Sequence, residues 1–143
     1  MTEGDGGPPE CSPDDVRVTV AWQLQDDGGL RGRLLVENTG ARACRLSGKP
    51  VLHPLDRGGR PLDASTVVTL EFRQPGSVVV PPGGRAAAAV SWAGWAGPPA
   101  GNRAVVGWGS PRQEATAAVS GPLQPARAEP PHNLTSGWFE LEP

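Results

Sequence analysis

The chain has no tyrosine, one methionine, one lysine, two histidines and two cysteines in 143 residues. Each shortage closes a route to function. Two cysteines without a companion histidine cluster do not make a tetrahedral zinc site. A blue-copper centre on a β-sandwich needs two His, a Cys and usually a Met close together, and the single Met here is residue 1. No apolar run approaches the roughly 18 residues that a membrane-spanning helix requires. The opening MTEGDGGPPE is polar and rich in Pro and Gly, so it lacks the apolar stretch of a signal peptide. Met1 is expected to be an added start on a mature or truncated protein, with residues 1–10 as a flexible tail or tether and 11–143 as a single domain. The chain also has no excess of charge. Twelve Arg and one Lys are scattered among 15 acids for a formal net charge of -2, which gives no long-range field to recruit nucleic acid.

What is abundant is punctuation. Seventeen Pro and 20 Gly make up about a quarter of the chain, a level that would suggest disorder if apolar periodicity were missing. The periodicity is there. Val16, Val18, Val20, Trp22 and Leu24 alternate with polar or small residues, and a second strand follows over about Leu30 to Asn38 after Asp26-Asp27-Gly28-Gly29, the two forming a hairpin. Cys44 to Leu46, Val51 to Leu55, Val68 to Phe72, Val78 to Val80, Ala104 to Trp108, Ala115 to Val119 and Leu134 to Leu141 read as further strands, the last with Phe139 and Leu141 pointing inward. Pro54 confines its strand to an edge or an end. Arg85 to Trp92 carries four alanines and so invites a helix. The spacing of Ala88, Val90 and Trp92 favours a strand. Residues 121–133 read as an irregular crossing loop. Eight or nine short strands with no helix predict an all-β, immunoglobulin-like antiparallel two-sheet sandwich, with a barrel as the alternative.

Cys11 precedes the first strand and Cys44 opens the third. Joined, they would close a loop worth about 4 kcal/mol on the chain-entropy account and would imply an oxidising compartment. Two buried free thiols in a cytosolic protein are the alternative. The bridge is the favoured reading, and export follows from it.

Residues with chemical potential are sparse. His53 reads as a strand residue with its polar edge in solvent, and His132 as part of the proline-rich loop. No G-x-S-x-G nucleophile elbow occurs, and Gly107-Trp108-Gly109-Ser110-Pro111 has only its composition. Asp14-Asp15 and Asp26-Asp27 are adjacent acids whose usual role is to bond backbone in turns, with a calcium site at Asp26-Asp27 the remoter reading. Asn133-Leu134-Thr135 matches a glycosylation acceptor, a tripeptide common by chance. Of the five tryptophans, Trp22 and Trp92 are in phase with core positions. Trp95 lies in a Gly/Pro loop and Trp138 flanks Phe139 on the opposite face, so together these two could form an exposed aromatic surface for a partner protein or a sugar.

One order of motifs has a precedent. Cys11, the turn Asn38-Thr39-Gly40, the corner Cys44-Arg45-Leu46-Ser47-Gly48-Lys49-Pro50, the hairpin Gly59-Arg60-Pro61-Leu62, the turn Pro81 to Gly84 and the strand end at Trp92 resemble the actinobacterial secreted family known as domain of unknown function 4232. The likeness covers residues 11–92. Members often carry a second cysteine pair in the C-terminal third, whereas residues 93–143 have none and depart from that pattern. The resemblance implies an immunoglobulin-like sandwich, a Cys11–Cys44 bridge, and secretion or lipoprotein anchoring. It implies no activity.

The expectation is therefore a non-enzymatic, extracytoplasmic binding or adaptor domain at the bacterial cell envelope. It needs no cofactor or metal, meets a protein or polysaccharide partner, and touches the membrane only through an upstream anchor. The alternative is a carbohydrate-binding module using Trp95 and Trp138.

Overall fold

The computed structural model describes residues 7–64 and 76–143, and within them the architecture is all-β. A short 3-10 turn at Pro13–Asp15 is capped by the Ser12 side chain. The strands are β1 (Val16–Leu24), β2 (Leu30–Asn38), β3 (Cys44–Ser47), β4 (Val51–Asp56), β5 (Ser77–Val80), β6 (Arg85–Trp92), β7 (Ala100–Trp108), β8 (Gln113–Ser120), β9 (Leu134–Ser136) and β10 (Glu140–Leu141). The strand expected over Val68 to Phe72 lies outside the described residues.

The larger sheet runs β10-β6-β2-β1-β8-β7-β4, with β9 also paired to β6; a second sheet contains β3 and β5. All these pairings are antiparallel except β1 with β8, where Thr19, Ala21 and the residue between them run parallel to Ala118 through Ser120. The large sheet curls until its edges almost meet. Ser136 of β9 donates its hydroxyl to the carbonyl of Pro50, just before β4, at 2.6 Å. The result is a nearly closed, barrel-like mixed sheet with a small second sheet beside it.

Alternation explains what fills it. In β6 the residues Ala86, Ala88, Val90 and Trp92 are buried while those between them are exposed or half-buried, so a run of alanines forms a strand because its register is tertiary. Pro54 sits in β4, the terminal strand of the sheet order, where a missing N–H breaks no interior ladder. Two expected core positions come out exposed. Leu24 is 53% accessible because β1 ends there, beyond the filled interior, and Leu141 is 50% accessible because the last strand is split into β9 and β10 around Phe139, which is buried.

One polar residue is buried among these apolar ones. Asn38, 1% exposed, ends β2 and has every bond it needs: its Nδ2 donates to the carbonyls of Arg42 (2.8 Å) and Val80 (2.9 Å), and its Oδ1 accepts from the Gly40 amide (2.9 Å). Its own backbone N–H donates to Gly84 and its carbonyl accepts from Gly83. The Asn-Thr-Gly turn thus ties β2, the approach to β3, the end of β5 and the Pro-Pro-Gly-Gly turn to a single residue, Asn38.

Candidate functional site

Cys11 and Cys44 are joined as a disulfide, with Cα atoms 4.8 Å apart. The bridge is reinforced by backbone bonds across the same junction: the Cys11 amide donates to Arg45 O, and the Arg45 amide to Pro9 O, both at 2.8 Å. This anchors the segment before β1 to β3.

Trp95 is not exposed. It is 8% accessible, its ring packs 5.6 Å from Trp92 and 6.4 Å from His132, and its Nε1 donates to Pro98 O at 2.8 Å. It folds over one end of the barrel and extends a ring series that continues from Trp92 to Trp22 at 6.4 Å. Trp138 is half-buried and lies under the Lys49 ammonium, 5.3 Å from its ring centroid. The exposed aromatic pair expected of Trp95 and Trp138 is therefore not formed, because burying an indole with its N–H satisfied outweighs leaving it in water. Replacing Trp95 by Phe is expected to cost about 1 kcal/mol through the lost hydrogen bond and volume, read as a lower urea midpoint with unchanged slope.

The crossing loop 121–133 is bonded at several points. Ala126 and Arg127 amides both donate to Gly28 O, Trp95 N donates to Arg127 O, and the His132 ring nitrogen Nε2 lies 2.7 Å from Ala128 O. His132 is thus part of a scaffold. His53 is half-buried on β4 opposite Val105. Among the described residues no group of three or more His, Cys, Asp or Glu side chains converges to hold a cation. Asp27 accepts from the Gly29 amide at 2.9 Å, the turn role its position predicted.

The arrangement with most chemical content is one that sequence spacing did not reveal. At the disulfide end, the corner Ser47–Lys49 and Val51 face the β7–β8 turn, Trp108–Ser110 with Arg112, across a cavity of about 260 Å³. Glu10 builds both walls. Its carboxylate accepts from the Ser47 amide and from the Ser47 hydroxyl, each at 3.0 Å, with an Arg45 guanidinium nitrogen 3.9 Å away. Trp108 donates its Nε1 to the Cys11 carbonyl at 3.0 Å, so the ring is fixed by the residue that forms the disulfide. The opposing turns each pivot on a glycine at φ 76°, Gly48 and Gly109, and a Cβ on Gly109 would fall 2.9 Å from the Glu10 side chain. Both therefore need glycine, the second for room as well. Half-buried Val51 gives the cavity apolar surface, exposed Arg112 a cation and the exposed Ser110 hydroxyl a donor, while Lys49 lines it with its ammonium over the Trp138 ring. The signal in the sequence was the pair of Gly-centred turns, Ser-Gly-Lys-Pro and Trp-Gly-Ser-Pro; their separation of some sixty residues hid that they meet.

No curated protein and no solved structure matches the chain. A family model does match, over residues 11–140, and so takes in the C-terminal third that its motifs alone had left aside. With nearly the whole described fold inside that match, the chain belongs to the family described as Domain of unknown function (DUF4232).

Proposed function

We propose that this chain is a non-catalytic binding or adaptor domain that works outside the cytoplasm at the bacterial cell envelope, and that the pocket between the Ser47–Lys49 corner and the Trp108–Ser110 turn is its recognition surface. The single observation that carries the compartment is the Cys11–Cys44 bridge, which uses both cysteines of the chain and belongs to an oxidising environment. The recognition surface is supported by the pocket's make-up. A rigid apolar wall with a few charged or donor groups at its rim is the usual form of a ligand site, and here that rim is held by the disulfide, Glu10 and Trp108.

The finer architecture we infer is immunoglobulin-like. Strand β1 pairs with β2 along its length and with β8 in parallel over three residues, so it links a β1-β2-β6 group to a β8-β7-β4 group. Two such groups facing each other would supply the two layers of that sandwich, with β9 and β10 extending the first at β6.

The test is made in cells expressing the natural gene with its own upstream sequence. A photo-cross-linking residue replaces Ser110, and in a control it replaces exposed Arg57 on the far hairpin. The expected result is protein recovered outside the cytoplasm with an adduct formed from position 110 and absent from position 57. Protein confined to the cytoplasm, or no adduct at position 110, contradicts the proposal.

A further inference from the structure

We propose that the pocket at the disulfide end binds a carboxylate carried on an apolar body of about one amino-acid residue in size; this rests on the reading of that pocket as the recognition surface. Three features point there. The first is charge. Lys49 and Arg112 lie on opposite walls, and Arg112 is exposed with no carboxylate in ion-pair distance among the described residues. Its planar guanidinium suits a carboxylate, with two parallel N–H groups for two oxygens. The second is the state of the nearest acid. Glu10 stands behind the corner, but its two oxygens are committed to the Ser47 amide and hydroxyl and neutralised by Arg45 at 3.9 Å, so it shapes the wall and leaves the rim to the cations. The third is size and polarity. A cavity of about 260 Å³ with half-buried Val51 on its wall accommodates an aliphatic side chain beside the acid, and is too small for a long oligosaccharide. The Ser110 hydroxyl sits on the rim as a further donor.

That chemistry has two sources: the C-terminal residue of a protein or peptide chain, and a small free acid. Capture of a chain terminus by cations and turn backbone is a known recognition mode.

The experiment is an amide and indole NMR titration of the oxidised, full-length protein. The probes are N-acetyl-leucine, its neutral amide, and a tetrapeptide ending in Ala-Leu with a free carboxylate. The acid is expected to shift the amides of Gly48, Gly109 and Ser110 and the Trp108 indole in a saturable way below about 10 mM, a weak affinity fitting so small a ligand. The neutral amide is expected to leave them in place. Arg112→Gln should weaken binding about tenfold or more and Lys49→Gln by less, since a bidentate pair is lost in the first. Arg112 is exposed, so its variant should keep the wild-type spectrum elsewhere, whereas Lys49 is half-buried with its ammonium over Trp138, so its variant should also shift the Trp138 indole. Tighter binding of the peptide than of N-acetyl-leucine assigns the ligand to a chain terminus; exclusion of the peptide assigns it to a small acid. Equal shifts from acid and amide, shifts confined to other surfaces, no shifts, or unchanged affinity in Arg112→Gln would each overturn the inference. Because the titration is made on the isolated protein, it can fail while cross-linking at position 110 succeeds in cells, which would leave the recognition surface standing with another ligand class.

Discussion

Replacing Cys11 and Cys44 together by Ser is expected to lower the stability of the folded domain by about 4 kcal/mol. The bridge spans a sequence separation of 33, so its loss frees a long loop in the unfolded chain. For a domain of this size the thermal midpoint should fall by about 10–15 °C. The effect should not be confined to the unfolded state. Cys11 is fully buried, Cys44 nearly so, and the Trp108 indole leans on the Cys11 carbonyl, so the variant should also loosen the pocket wall. Calorimetry of wild type and double variant checks the magnitude. A shift of only a degree or two would mean that the backbone bonds between Pro9, Cys11 and Arg45 hold the junction without the sulfur link.

Asn38→Ala is expected to cost about 3 kcal/mol, although the residue contributes no apolar surface. Its side chain is buried and makes three bonds, two of them donated to carbonyls from separate segments. Truncation takes a donor from the buried Val80 carbonyl and removes the clasp on the approach to β3, and each such lost bond to a buried group costs about 1–3 kcal/mol. Asn38→Asp should be worse at neutral pH, because a carboxylate would then face two carbonyl oxygens in place of an amide that donates to both. Acidification should return part of that loss, since a protonated acid can donate to one of them. Urea midpoints for the two variants at neutral and acidic pH decide the matter: equal costs for Ala and Asp would show that hydrogen-bond polarity at this position is unimportant.

The strands were legible because one face of each is packed and the other is not. Val18, Val20 and Trp22 in β1 and Ala86, Ala88, Val90 and Trp92 in β6 are buried in the alternating phase that their spacing predicts. Periodicity carries no information on where an interior stops, which is why Leu24 and Leu141 looked like core and are exposed. Nor does it say how a sheet closes. The curl that brings Ser136 to Pro50 depends on contacts 86 positions apart. Trp95 illustrates a different gap. Its loop has the composition of an exposed turn, and only the three-dimensional approach of Trp92, Pro98 and His132 explains its burial. The pocket follows the same rule, since neither glycine-centred turn has a partner until Glu10 and Trp108 bring the two together.

Whether this disulfide-clamped, barrel-like domain works outside the cytoplasm, as proposed, is decided by the redox state of two residues in the living cell. The direct measurement is to quench cells expressing the natural gene in acid, alkylate without reductant, and map the peptides by mass spectrometry. The expected result is a Cys11–Cys44 cross-linked peptide as the dominant form, with no alkylated copy of either residue. Recovery of both cysteines as alkylated monomers would contradict the compartment and the clamp together.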